Sequence, residues 1–378
     1  MAKYSLKIIH GQELKNKVCV IVGTRPGIIM FSPIIRELER RKISFFVVHT
    51  GQHYSYNMDK VLFEDLKLKR PKYRLNSVKR CKLHGEQTAE MLKGCEAAML
   101  KEKPKIVLVG GDANTNLSAA LAARKLHISV GHIEAGERSF DWRMPEEHNR
   151  RIIDNISDYL FATGLQAKRN LLREHVMGKI FITGNTIVDA AYQNLDLALK
   201  SGYRLSAAKR RYCLVTVHRE ENVDYKENLY SILKGLIKAS RVIGMPMMVL
   251  AHPRTLNRIK QFGFMPMLRQ SKELCLESGT GYLNFLSLLK GASLVFTDSG
   301  GVQQEACILG VPCVTLRENT EWVETITLGC NILAGSSPDR ILNAANKMLR
   351  LKKKWRNPFG DGHAARKIID IVERKLGQ

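Results

Sequence analysis

KVCVIVGTRPGIIMFSPIIRELERR (Lys17–Arg41) decides the fold. Val18–Val22 is an unbroken apolar run, without the alternation of a strand that has one face in water, and it predicts a strand buried on both faces. Gly23–Pro26 break the run. PIIRELERR then sets apolar side chains at Ile34, Ile35 and Leu38 among charges at Arg36, Glu37, Glu39 and Arg40, which is the period of an amphipathic helix. A doubly buried strand followed by a helix is the repeating unit of a parallel α/β sheet.

The same alternation runs outward from this stretch. SFFVVHTG precedes the helical NMDKVLFEDL; PKIVLVGG leads into NTNLSAALAARKL and then ISVGHIEAG. A helical passage, NTIVDAAYQNLDLALKSG, separates this series from a second one, YCLVTVH, MPMMVLAHP, SLVFTDSGG and PCVTLR, with helical NLYSILKGLIKAS and VQQEACILG between. The sequence therefore predicts an α/β protein of two Rossmann-like, doubly wound domains facing a cleft. The boundaries expected are 1–184 for the amino-terminal domain, 185–363 for the carboxyl-terminal domain, and a last helix, 364–378, packing back on the first. A length of 378 residues fits two domains at about 100 to 200 residues each.

Composition narrows the function classes. With 44% hydrophobic and 25% charged residues the chain can bury ordinary cores, so disorder is excluded. Its apolar runs fall far short of the roughly 20 residues of a membrane helix, and MAKYSLKIIHGQELKNK lacks the apolar centre of a signal peptide. The expectation is a cytoplasmic protein without a membrane span. Eight scattered cysteines with no CxxC spacing read as reduced core residues. The 60 Lys and Arg against 36 Asp and Glu, a formal charge of +24, suit a polyanionic partner. Recognition-helix, zinc-finger and aromatic RNA-binding signatures are missing and the basic residues are dispersed, so a phosphorylated small molecule is expected and nucleic acid is not.

Ligands of open parallel sheets gather at the carboxyl ends of strands. In TDSGGVQQEA, Ser299, Gly300 and Gly301 open a helix whose free N–H groups suit a diphosphate, although DSGG is equally a tight strand-to-helix turn. In GTRP, Arg25 suits a phosphate or carboxylate, or is a solvated arginine. Asp112 in GGDANTN reads as a helix cap or an acid–base group; Glu134 in HIEAG is a poorer cap and points more to chemistry. HIEAGERSFDWRMPEEHNRR (His132–Arg151) concentrates Glu134, Glu137, Asp141, Glu146 and Glu147 in a basic chain. Helix-dipole stabilisation accounts for Glu146 and Glu147 after Pro145, and general acid–base work is the alternative. VTVHRE adds His218 and Arg219, and LAHPR adds His252; no HxxxH or similar spacing points to a metal.

Together GTRP, TGQHYSYNMD, HGEQT, GDANTN, HIEAGERSFDWRMPEEHNR, TGNTIVD, HREEN, HPR, TDSGGVQQEA, LRENTEWVET and NPFGDG resemble the non-hydrolysing UDP-N-acetylglucosamine 2-epimerases, in family order and over nearly the whole chain. The resemblance implies a glycosyltransferase-B fold, a homodimer, a UDP-sugar in the cleft and a place in cell-surface polysaccharide biosynthesis. It also implies inversion at C2 by loss of UDP to a 2-acetamidoglucal and its re-addition, without a nicotinamide or other cofactor. Carried over residue by residue, Asp112, Glu134 and Glu146 match the family's catalytic carboxylates and His218 a histidine near the diphosphate. Arg25 matches a phosphate-contacting arginine, Ser299, Gly300 and Gly301 the diphosphate turn, Glu305 a ribose ligand and Phe285 of GYLNFLSLL a uracil neighbour; His252 is expected among the substrate contacts. The chain departs from the family at Gly27 and Met30, where a glutamate and a lysine are common, at Glu137 for leucine and at Gln304 for glutamate. A hydrolysing epimerase and a glycosyltransferase of the same fold are the alternatives, and Met30 adds a nucleotide-sugar binder of low activity.

Overall fold

The computed structural model describes residues 14–52, 56–200, 211–278, 280–351 and 355–377. The start of the amino-terminal segment, His53 of the TGQH motif, the three lysines of LKKKWR and the last residue of the expected terminal helix lie outside them.

The chain forms two units by its internal contacts, one from Met1–Ala190 with Phe359–Gln378, the other from Ala191–Pro358. Among the described residues the first holds seven strands: β1 (Lys15–Val22), β2 (Phe45–His49), β3 (Tyr73–Arg74), β4 (Pro104–Gly110), β5 (Ser129–Ala135), β6 (Tyr159–Ala162) and β7 (Lys179–Ile182). They pair in the order β3-β2-β1-β4-β5-β6-β7, every pairing parallel. The second holds β8 (Cys213–Thr216), β9 (Met247–Ala251), β10 (Leu274–Ser278), β11 (Leu294–Thr297), β12 (Cys313–Thr315) and β13 (Asn331–Leu333), ordered β10-β9-β8-β11-β12-β13 and again all parallel. In each sheet the winding reverses beside the first strand, between β1 and β4 and between β8 and β11, which is where such sheets bind ligands.

Physical detail matches the sequence. Val18–Val22 are fully buried, as a strand covered on both faces requires. The helix Arg25–Arg40 starts at Thr24, whose hydroxyl accepts from Gly27 N at 3.2 Å. Pro33 lies inside that helix and has no N–H for the carbonyl of Ile29. The Ser32 hydroxyl takes it instead at 2.8 Å, so the proline leaves no buried acceptor empty.

The core of the first unit collects Cys19, Ile21, Val48, Val107, Val109 and Val130 with the alanines of the helix Asn114–Lys125. That of the second collects Val215, Ile232, Leu236, Val249 and Phe296 with Ile341 and Ala345. The helix Ala364–Gly377 belongs to the first unit, where Asp189 accepts from Ala364 N at 3.1 Å and Ala365 N at 2.9 Å. A carboxylate at a helix amino terminus satisfies donors that have no partner within the helix. All eight cysteines are free thiols; Cys81 and Cys275 are only half-buried, a departure from the expected core placement. No helix among the described residues is long and apolar enough to cross a membrane.

Candidate functional site

At the switch point of the first sheet, Asp112 follows the end of β4. The helix after it, Asn114–Lys125, is capped by Ala113 without a side-chain bond, so Asp112 is not its cap. Its carboxylate instead meets the Arg150 guanidinium, and its carbonyl accepts from Asn149 Nδ2 at 2.8 Å. Gln52 of the TGQH motif does the capping work, accepting from Thr115 N at 3.0 Å and Thr115 Oγ1 at 2.8 Å.

Glu134 lies where β5 shifts register against β6, between Ile133 and Ala135, and its φ of 65° is left-handed. A bulge with one extra residue re-aims a side chain, and a non-glycine residue held there carries strain that surrounding structure must support. Asn185 supports it, donating Nδ2–H to Glu134 Oε1 at 2.8 Å. Desolvation pushes the Glu134 carboxyl up from 4.5 to about 8; the charges of Glu137 and Asp112 add to the rise, and the Asn185 bond and Arg150 oppose it.

Glu146 is exposed in the first turn of the helix Pro145–Ile156. It stands three and four residues before Asn149 and Arg150, on the helix face that reaches Asp112. Its neighbour Glu147 is fully buried, accepting from Ser139 N and Ser139 Oγ at 2.9 Å and from Arg151 Nε at 3.0 Å, with Arg150 Nη1 at 3.3 Å. Burial raises the Glu147 carboxyl, but the Ser139 bonds and the two arginines outweigh it and hold it low. Part of the acid in His132–Arg151 is paired with arginines of the same stretch, Arg143 on Asp141 and Arg150 and Arg151 on Glu147, while Arg138 reaches beyond it to Asp154. Met30 is buried, its sulfur 2.7 Å from where a Cβ on Gly110 would stand; its Cε and Glu134 Oε2 lie 3.5 and 3.7 Å from the same point over Gly111. A thioether, not an ammonium, therefore stands on the Glu134 side of Gly111.

At the switch point of the second sheet, buried Asp298 organises the ends of β8 and β11. It accepts from His218 N at 3.0 Å, Arg219 N at 2.9 Å and Asn222 Nδ2 at 3.0 Å, and faces His218 Nδ1 at 3.1 Å. Burial raises this carboxyl, yet the bonds from His218 and Asn222 and the His218 charge keep it below its ordinary range. His218 keeps 40% of its side chain in solvent. Its ring is 5.6 Å from that of His252, which caps the helix Pro253–Gln261 by accepting from Arg254 N at 3.2 Å.

Ser299 is the first cap of the helix Gly300–Leu309, and its hydroxyl is not used for capping. A Cβ on Gly300 would stand 2.1 Å from Glu321 Oε1, so a larger residue there would displace the Glu321 side chain. Glu305, on that helix, accepts from Tyr282 Oη at 2.9 Å; burial pushes it up to about 7 against that bond. Half-buried Phe285 is one turn beyond Tyr282 on the helix Tyr282–Gly291. Arg25, half-buried, is the first residue of the helix after β1.

The structure thus gathers Asp112, Glu134 and the Glu146 helix at the ends of neighbouring β4 and β5, and His218, Ser299, Gly300 and Gly301 at the ends of neighbouring β8 and β11, with Glu305 on Tyr282, one turn before Phe285. Sequence reasoning left Asn149, Arg150, Asn185, Asp298 and Tyr282 without roles. The helical spacing from Glu146 pointed to Asn149 and Arg150; nothing local pointed to Asn185, which reaches Glu134 across 51 positions. Among the described residues no group of three His, Cys, Asp or Glu side chains stands as a metal site.

Comparison with known proteins finds relatives over almost the whole chain. A family model described as UDP-N-acetylglucosamine 2-epimerase matches residues 36–373. A UDP-N-acetylglucosamine 2-epimerase of Methanocaldococcus jannaschii is 49% identical over 94% of this chain and 98% of its own. A UDP-2,3-diacetamido-2,3-dideoxy-D-glucuronate 2-epimerase of Pseudomonas aeruginosa is 38% identical over 95% of this chain and 99% of its own. The crystal structure of the Methanocaldococcus jannaschii UDP-GlcNAc 2-epimerase in complex with UDP-GlcNAc and UDP superposes with a TM-score of 0.85 at 48% identity, over 95% of this chain and 99% of that one. With the two doubly wound sheets and the strand-end carboxyls already in view, the chain belongs to the UDP-N-acetylglucosamine 2-epimerase family.

Proposed function

We propose that the protein inverts C2 of a UDP-linked N-acetylhexosamine, with UDP-N-acetylglucosamine and its manno epimer as the pair, by elimination and re-addition of UDP without hydrolysis. The observation that carries this reading is a pair of neighbouring carboxyls in unlike surroundings: Glu134 pushed up to about 8, and Asp112 against the Arg150 guanidinium. A desolvated carboxyl that keeps its proton beside one that faces a guanidinium suits an acid and a base.

In the forward direction the Asp112 carboxylate takes the C2 proton, the C1–O bond to UDP breaks with its electron pair leaving on the diphosphate, and C1=C2 forms. The protonated Glu134 carboxyl then returns a proton to the other face of C2 as the diphosphate oxygen rejoins C1. The reverse reaction exchanges the two roles. Nothing is oxidised or reduced. His218, the Ser299 hydroxyl and the free N–H groups at the start of the helix Gly300–Leu309 supply the cation and donors that a departing diphosphate needs. Glu305 is assigned to the ribose hydroxyls, Phe285 to the uracil, Arg25 and His252 to the substrate phosphates and Glu146 to the sugar.

Incubation with UDP-N-acetylglucosamine in deuterated water tests the reading. The manno epimer, labelled at C2 and still joined to UDP, is the expected product. Free N-acetylmannosamine with liberated UDP indicates the hydrolysing reaction, and absence of both label and epimer with this substrate and its 2,3-diacetamido uronic acid relative defeats the proposal.

A further inference from the structure

His132 sits on β5 with its ring fully buried, and both of its nitrogens face acceptors. Nδ1 is 2.7 Å from Asp154 Oδ1 and Nε2 is 3.0 Å from the carbonyl oxygen of Gly111. A carbonyl only accepts. Asp154 is equally committed, because its other oxygen receives Arg138 Nη2 at 2.6 Å and Gly136 N at 3.1 Å, which holds it as a carboxylate. A neutral imidazole has one N–H and one lone pair, so it would turn that lone pair on one of these two oxygens in a site closed to water.

We infer that His132 is a positioning residue, carried as a doubly protonated imidazolium, that clamps the Gly111–Asp112 peptide to β5 and so aims the Asp112 carboxylate. The inference rests on the epimerase reading for what that aim accomplishes. Gly111 is gripped at both of its polar groups: its carbonyl by His132, and its N–H by the carbonyl of Ile133 at 3.0 Å. Its φ of 76° is the left-handed conformation that these two bonds demand. On the far side of Asp112 the backbone is held again, by Asn149 on the Asp112 carbonyl. Glu134 follows His132 by two residues, so one strand sets the positions of both reacting carboxyls. The charged groups beyond the ring form a chain: Asp154 faces it from the helix Pro145–Ile156, Arg138 stands behind Asp154, and Glu174 closes on Arg138 at 2.7 Å and on Arg151 at 2.8 Å.

Two amide variants separate positioning from mere core filling. The amide nitrogen of glutamine reaches where Nε2 stands, whereas that of asparagine reaches only where Nδ1 stands. His132→Gln keeps the donor to Gly111 and is expected to retain most of the C2 exchange rate. His132→Asn keeps only the donor to Asp154, and its kcat is expected to fall about 100-fold, as for a group misplaced by about 1 Å, with KM unchanged. An asparagine variant equal to or faster than the glutamine variant, or losses carried by KM, overturns the inference. Nitrogen NMR of the unsubstituted protein at neutral pH covers the case in which neither variant folds. Two protonated ring nitrogens are expected for His132, and the spectrum of a neutral tautomer overturns the inference. Exchange absent from the unsubstituted protein with every UDP-hexosamine would defeat the epimerase reading alone, leaving the NMR result to judge the clamp.

Discussion

Glu134→Gln tests the acid–base reading through stability, independently of turnover. Glutamine matches the protonated carboxyl in shape, and its Oε1 still accepts from Asn185, so the bond across 51 positions survives. Lost with the substitution is the proton that wild type must keep. The Glu134 carboxyl rises from 4.5 to about 8 on folding, so below its unfolded value both states hold the proton and the group costs nothing. As pH climbs between the two values the unfolded chain ionises and the folded one does not, so stability is lost progressively until the folded carboxyl itself ionises. At 1.36 kcal/mol per unit the ceiling of that loss is about 5 kcal/mol; the Glu134 residue keeps some exposure to solvent, which screens part of it, and about half is expected. Chemical denaturation of wild type and variant at about pH 5 and about pH 9 measures the difference, and other raised carboxyls cancel between the two proteins. Glutamine should gain about 2 to 3 kcal/mol over wild type at the higher pH and little at the lower, while C2 exchange falls about 100- to 10,000-fold. A variant with the same relative stability at both pH values would show that Glu134 is an ordinary carboxylate, and its assignment as the acid would be wrong.

Asp112→Asn is expected to abolish C2 exchange while UDP affinity, read by calorimetry, changes little; a loss of UDP binding instead would move Asp112 from the sugar to the nucleotide. Met30→Lys should bring an ammonium into reach of Glu134, lower that carboxyl, and shrink the high-pH stability gain of Glu134→Gln when the two changes are combined. Glu305 rests at about 7, and ribose hydroxyls donate to its ionised form, so UDP affinity should tighten as pH rises through about 7 in wild type. Calorimetry of Glu305→Gln over the same range should show that component gone. Asp298→Asn turns an amide N–H toward backbone donors and should cost the second unit about 1 to 3 kcal/mol near neutral pH. Asp298 is held low in the fold, so it contributes stability above its unfolded value and loses it as pH falls through its lowered one; the gap between wild type and variant should close on acidification.

Much of the architecture was legible in the chain. The runs that became β1, β2, β4, β8, β9 and β11 are rich in Val, Ile, Leu, Met and Phe, a signal that burial on both faces writes into sequence. The edge strands β3 and β7 carry no such signal: Tyr73–Arg74 spans two residues, and Lys179–Ile182 contains no fully buried side chain. A strand that pairs on one side can be short and polar, and it owes its extended form to the neighbour it pairs with. The candidate site divided in the same manner. Asp112, Glu134, Ser299 and Gly300 were readable because turns at strand ends have a limited vocabulary. Asp298 lay inside a motif already singled out, yet its work of tying the backbone of His218 and Arg219 depends on β8 and β11 being neighbours, more than 70 residues apart in the chain.

By itself the sequence determined most of the central strands and the helices beside them, that the sheets are parallel, and which strand-end turns hold carboxyls and glycines, because hydrophobic period and turn chemistry are local properties. Only the tertiary structure decided what those groups are. Glutamates 134, 146 and 147 are chemically identical in the chain, yet one is protonated by desolvation, one is left in solvent and one is sealed under two arginines. A carboxyl's proton depends on the water removed from it and the charges brought beside it, and both arrive from residues distant in sequence.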